Sequence, residues 1–310
     1  MAAGVLIPPD RGSANVVDDV LQKARAAVDA GVRDLWLGQQ FDYDAITLAT
    51  VIGAGLPGVR VGTSVVPVNP RHPLVVASSA QTAQAATHGN FSLGLGLGVA
   101  FAEELAFGLT TRRPVARLWE YLTVLRAVRD ERTVDFHGAE LTAVDPKVLP
   151  VALAGSTPFP IYVAAMGPRM LRLTGELADG TLPAGTGPRT IESFVVPTVR
   201  QAATDAGRPP PKVIPLVSVA VTDDAESVRA AAAPSLAIYD SIASYQRQYA
   251  REGVSSAIDL AVIGSADAVT RSLRGYLDAG ADDVVLLPVQ TDPDDLRRVY
   301  DVAAALETGG

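Results

Sequence analysis

"VRVGTSVVPVNPRHP", residues 59–73, begins like a buried strand and then stops behaving like one. Val59, Val61, Val65, Val66 and Val68 are β-branched and favour a packed, pleated surface. Gly62, Thr63 and Ser64 interrupt them, and Pro67, Pro70 and Pro73 crowd the exit. A core strand thus ends in small polar residues with no evident nucleophile, base or metal ligand beside them.

Outward from this stretch the same arrangement recurs. "GVLIPP" (4–9) precedes the helical pattern "NVVDDVLQKARAAVDAG" (15–31), which stops at Gly31, and "DLWLGQQ" (34–40) precedes a helix from about Asp44. "FSLGLGLG" (91–98) leads to "RPVARLWEYLTVLRAVRD", "IYVAAMG" to "PRMLRLTGELAD", and "GTLPAG" to "TIESFVVPTVRQAATDAG". "KVIPLVSVAV" with an Ala-rich stretch and "DDVVLLPV" with "DPDDLRRVYDVAAALE" complete eight β-then-α units. Near-continuous apolar strands suit parallel sheets covered on both faces, and eight such units match an α/β chain folded as a (β/α)8 TIM barrel. Residues 99–112, after strand four, and 223–263, after strand seven, exceed the repeat. Both follow strand C-termini, where a barrel builds its site, so they read as walls or lids, or as packing at a dimer interface. No low-complexity linker divides the chain, which reads as one domain over 1–310.

Composition removes several function classes. The 310 residues are 48% hydrophobic, enough for a large core, and a formal net charge of −8 without a Lys/Arg run disfavours nucleic acid. There is no cysteine, which excludes disulfides, thiolate nucleophiles and cysteine metal sites and fits a reducing cytoplasm. The N-terminus lacks a basic n-region and a long apolar core, and Pro or charge breaks every longer apolar run, so the chain reads as soluble, untargeted and without a membrane partner. "GLGLGVAF" (94–101) tests a dinucleotide-binding alternative: a third small residue is missing, since Val99 and Phe101 stand where it belongs, and the obvious helix opens only near Pro114. The glycines then signal close approach of backbone to a bound group.

With the strands placed, the chain resembles the luciferase-like monooxygenase superfamily, and within it the oxidoreductases that use the deazaflavin coenzyme F420. "WLGQQFDYDA", "VGTSVVPVNPRHP", "GLGLG", "AAMGPRMLRLTGELADG" and "YLDAGADDVVLLPV" carry the resemblance over nearly the whole chain. It implies a non-proline cis peptide at Ser64-Val65, propping the back of the (deaza)flavin ring; the residues alone also allow an ordinary trans bond. It implies that Ala164, Ala165, Met166 and Gly167, with Arg169 adding charge, hold the coenzyme phosphate at a helix start, a segment that otherwise reads as a plain Gly-Pro-Arg helix opening. Gly98 and Val99 would line the ribityl chain from the other side. A homodimer is the common family assembly.

Acid–base residues depart from the family pattern. Where many members place an acid followed by His, this chain has Gln39-Gln40, which can hydrogen-bond but cannot shuttle a proton. Val99 stands where relatives that oxidise sugar phosphates carry Glu, which disfavours that reaction. Candidate proton donors are His72, Asp42, Tyr43, Glu103 and Glu104; His72 precedes Pro73 at a helix start and fits a structural role as well. His88 and His137 show no metal spacing, and "DPDD" (292–295) fits helix capping, so no metal is expected. The expectation is hydride transfer between F420 and a small organic substrate, with reduction of an activated C=C, C=N or C=O. The alternatives are an FMN-dependent monooxygenase of the same fold, or a non-catalytic flavin or deazaflavin binding protein.

Overall fold

The apolar runs fold as short strands buried on both faces, because helices cover one side and neighbouring strands the other. The computed structural model describes residues 3–308. Its first half runs β1 (Ala3–Leu6), α1 (Val16–Asp29), β2 (Asp34–Leu37), α2 (Ala45–Gly55), β3 (Arg60–Thr63), β4 (Val66–Pro67), α3 (Pro73–Ala86) and β5 (Phe91–Gly96). Then follow α4 (Ala100–Phe107), α5 (Pro114–Arg126), β6 (Asp135–His137), β7 (Thr142–Val144), β8 (Ile161–Val163), α6 (Pro168–Leu177) and β9 (Gly180–Thr181). The remainder is α7 (Pro188–Thr190), α8 (Val196–Asp205), β10 (Lys212–Val213), β11 (Leu216–Val221), α9 (Ala225–Leu236), α10 (Ala243–Glu252), β12 (Val262–Gly264), α11 (Ala266–Asp278), β13 (Val284–Pro288) and α12 (Pro293–Thr308).

The strands form a curled parallel sheet in the order β10-β9-β8-β5-β3-β2-β1-β13-β11-β12, with β4 also on β5. Beyond β9, Ala184 bridges in parallel to Leu216 of β11. The stretch after strand four contains α4; the one after strand seven contains α9, α10, two 3-10 turns and most of β12, which adds to the edge of β11. An antiparallel β6–β7 hairpin was not foreseen. The buried Glu120 carboxylate of α5 fixes its turn by accepting from the backbone N–H groups of Ala139, Glu140 and Leu141 at 2.8–2.9 Å.

Packing explains the polar patch of β3. Gly62 lies under the Trp36 ring, where a Cβ would come within 2.7 Å of it. Thr63 exchanges two 2.9 Å hydrogen bonds with Gly94 of β5: its Oγ1 donates to the Gly94 carbonyl and accepts from the Gly94 N–H. A side chain at Gly94 would run into the Thr63 carbonyl. Glycine and threonine are therefore packing requirements, and Ser64, whose N–H donates to Leu37 O at 2.7 Å, is free to start the turn out of the strand.

Charge gathers at the opposite end of the sheet. Asp34, at the start of β2, meets Arg60 at 3.7 Å; Arg60 also reaches Glu307 at 3.5 Å, and Lys212 pairs with Asp283 at 2.8 Å. Burial pushes the Asp34 carboxyl up to about 6, against the pull of Arg60.

Candidate active site

Strand C-termini and the two inserted stretches enclose a cavity of about 740 Å³. One wall is the exit from β3. The Ser64-Val65 peptide bond there is cis, and both residues line the cavity with Gly38 from the loop after β2. Gly98 and Val99 line it from the exit of β5, and Ala164 from the exit of β8. Gly98 has φ +75°, a left-handed conformation that suits glycine, and a Cβ there would press on the Glu103 carboxylate. Opposite stand Tyr239, Tyr245, Tyr249 and Tyr276. Tyr239 and Tyr245 have ring centroids 4.9 Å apart, and the Tyr276 hydroxyl donates to Thr186 O at 3.1 Å. Burial raises the Tyr245, Tyr249 and Tyr276 hydroxyl pKa values, so these hydroxyls stay protonated at neutral pH.

The two glutamines differ in role. Gln39 is committed to the loop: its Oε1 accepts from Ala45 N at 3.0 Å and from Arg71 Nη2 at 2.9 Å, while Nε2 donates to the carbonyls of Gln40 and Tyr43 at 2.6 Å. Gln40, an exposed residue that also lines the cavity, accepts from Arg11 Nη2 at 2.9 Å through Oε1. Arg71 lines the cavity and is braced by Asp44 at 2.6 Å.

Glu103 is the carboxylate among the lining residues. It is 5% exposed on α4, its Oε2 accepts from Asn69 Nδ2 at 2.6 Å, and its Oε1 is buried without a hydrogen-bond partner. Arg117 holds Asn69 in turn, donating to its Oδ1 at 3.1 Å and its backbone carbonyl at 3.2 Å. Burial raises the Glu103 pKa, partly offset by Asn69 and Arg117.

The remaining sequence candidates divide: Tyr43 lines the cavity, whereas His72, Asp42 and Glu104 are not among its lining residues. His72 caps α3: Nδ1 accepts from Leu74 N at 3.2 Å and, in that tautomer, Nε2–H donates to Thr142 O at 2.9 Å. Both ring nitrogens are engaged, and His72 is not among the lining residues. Ala165 is fully buried, Gly167 is the N-cap of α6, and the Met166 carbonyl accepts from Gln248 Nε2 of α10. These three support the wall from behind, with Ala164 reaching the cavity. Arg169 borders a separate surface depression with Arg113, Trp119 and Arg172, so its charge is not delivered to the cavity wall. Among the lining positions that sequence reasoning missed are Arg71, Gly185, Thr186 and the tyrosines at 239, 245, 249 and 276. "GTLPAGTG" (180–187) carries the same glycine and small-polar signature as residues 62–64 and was the available signal.

The sequence profile of a family described as luciferase-like monooxygenase matches residues 1–283. The chain belongs to that family. Among its relatives, phthiodiolone/phenolphthiodiolone dimycocerosates ketoreductase of Mycobacterium kansasii is 35% identical over 182 residues, 56% of this chain and 48% of the relative. A putative coenzyme F420-dependent oxidoreductase of Mycobacterium tuberculosis is 28% identical over 232 residues, 69% of this chain and 65% of that protein. This luciferase-like chain thus spans about half to two thirds of the length of the curated relatives it matches. The F420-dependent tetrahydromethanopterin reductase of Methanopyrus kandleri shares the fold, with a TM-score of 0.80 at 20% identity over 98% of this chain and 97% of the other. No helix among the described residues is long and apolar enough to cross a membrane.

Proposed function

We propose that the chain is an F420-dependent oxidoreductase that reduces the carbonyl of an organic substrate. The observation that carries this reading is the pairing, in one largely apolar cavity, of a hydrogen-bond donor, Gln40, with a buried carboxyl whose Oε1 lacks a partner, Glu103. The ketoreductase and F420-dependent names of the two curated relatives support it. We infer further that the sheet closes as a (β/α)8 barrel, supported by residues 212–221, which pair with β9 at one end and with β13 at the other.

The residues present fit a deazaflavin. Ser64 Oγ and Thr186 Oγ1 are buried polar atoms without partners at the cavity wall, and Gly38, Gly98 and Gly185 line it, a Cβ at 98 or 185 running into Glu103 or Tyr245. Ser64, Val65, Gly98 and Val99 would hold the ring and ribityl chain, and Ala164, Gly185 and Thr186 the phosphate. When bound in its reduced form, F420 supplies a hydride. The chain does the rest: the Gln40 amide donates to the acceptor carbonyl oxygen, Glu103 holds the proton that this oxygen receives, and the tyrosine wall excludes water. Asn69 and Arg117 orient Glu103. A homodimer and a cytoplasmic setting remain part of the proposal.

Titration of the apoprotein with F420 and with FMN, followed by coenzyme fluorescence, tests the assignment. Micromolar or tighter F420 binding, with FMN at least tenfold weaker, is expected. The reverse preference assigns the chain to flavin-dependent oxygenation, and binding of neither removes the site.

A further inference from the structure

Helix α4 is built inside out. Its one buried residue is the carboxylate of Glu103, whereas Phe101 is 59% exposed, Leu105 87% and Phe107 49%. A helix on a protein surface normally turns its apolar side inward. Phe41, 72% exposed in the loop after β2, stacks against Phe107 with ring centroids 5.7 Å apart. Phe41, Val99 and Phe107 also line the cavity, so the exposed apolar surface is continuous with its interior. Exposed apolar surface of this kind, contiguous with a cleft, marks a binding groove.

We propose that the substrate carries a long alkyl chain that lies across this rim, over Phe41, Phe101, Leu105 and Phe107, while its carbonyl end enters the cavity. This rests on the carbonyl-reductase reading above and extends it to a substrate class. A second copy of the chain seated on Phe41, Val99 and Phe107 would cover the mouth that these side chains themselves form. A net charge of −8 opposes docking on an anionic lipid surface. An alkyl chain has neither difficulty: it covers the apolar face and leads into the cavity.

The test uses two neutral fluorescent ketones with one head group, 6-dodecanoyl- and 6-propanoyl-2-(dimethylamino)naphthalene, titrated into apoprotein. Wild type is expected to bind the dodecanoyl compound at least tenfold more tightly, about 1.4 kcal/mol. In the double variant Phe101→Gln/Leu105→Gln, which alters exposed positions outside the cavity lining, the ratio is expected to fall below threefold. An unchanged ratio in the variant overturns the proposal. So does light scattering that finds a wild-type dimer and a monomeric variant, which assigns the face to a second copy, or phosphatidylcholine vesicles that bind wild type alone. The titrations contain no coenzyme and read no turnover, so a failed F420 titration leaves their outcome intact.

Discussion

Asp34→Asn is expected to stabilise the protein at alkaline pH and to do little at acid pH. Burial raises the Asp34 carboxyl from 3.8 to about 6, Asp283 and Glu307 add to the rise, and Arg60 and Lys212 oppose it. The native state therefore holds this proton more tightly than the unfolded chain does. The stability it contributes is fully present below about pH 4 and is lost as pH rises through 6. A shift of about two units corresponds to about 3 kcal/mol of native-state cost once the group is ionised. Asparagine is neutral throughout, so the variant escapes that cost: it should match wild type at pH 4 and exceed it at pH 8 by up to about 3 kcal/mol. For a chain of 310 residues that is up to about 5 °C in Tm. Thermal or urea unfolding at pH 4, 6 and 8, followed by tryptophan fluorescence, reads the difference directly. A variant no more stable at pH 8, or a gain that ignores pH, refutes the claim that burial dominates the pair with Arg60.

Three further outcomes are expected. Glu103→Gln should lower kcat for carbonyl reduction by roughly 100-fold or more while changing F420 affinity less than threefold in a fluorescence titration, because it removes a proton and keeps the shape; equal activity would remove Glu103 as the acid. Gln39→Ala should cost about 2 kcal/mol in urea unfolding, since it strips partners from Ala45 N and Arg71, whereas Gln40→Ala should leave stability within about 0.5 kcal/mol and reduce kcat/KM roughly tenfold. Gly94→Ala should fail to accumulate as folded protein, judged by circular dichroism of the soluble fraction, because its methyl would meet the Thr63 carbonyl in a buried sheet.

Much of the architecture was legible because burial on both faces leaves a strong mark in sequence: runs such as "DLWL" and "VVLLP" suit a strand that meets apolar neighbours on either side and little else. Gly62 and Thr63 were also legible as special, although their reason, the Trp36 ring and the exchange with Gly94, depends on neighbours far away in the chain. Residues 135–144 went unread because three-residue strands carry too little periodicity, and what holds them is a carboxylate fifteen or more residues earlier, on α5. In the site, adjacency misled. Arg71 and His72 are sequence neighbours of which one faces the cavity and the other caps a helix, and Arg169 follows Gly167 and Pro168 but points to another depression. A strand exit fixes where backbone goes; the rotation of each side chain about the following helix start is set by tertiary packing.

The two sides of the cavity are fastened differently. Behind the tyrosines, α10 is pinned to the frame twice: Gln248 donates to the Met166 carbonyl, and Glu252 accepts from the N–H and the hydroxyl of Thr190 at 2.8 and 2.7 Å. Across the mouth, α4 is moored through the carboxyl of Glu103 to Asn69. If Glu103 is the acid of the proposed reduction, protonation of that carboxyl bears on two properties at once, the chemistry at the acceptor oxygen and the grip on the helix that frames the entrance. A proton leaving Glu103 strengthens the mooring, since a charged acceptor binds the Asn69 amide more firmly than a neutral one. In the proposed reaction, delivery of the proton and tightening of the doorway would be a single event.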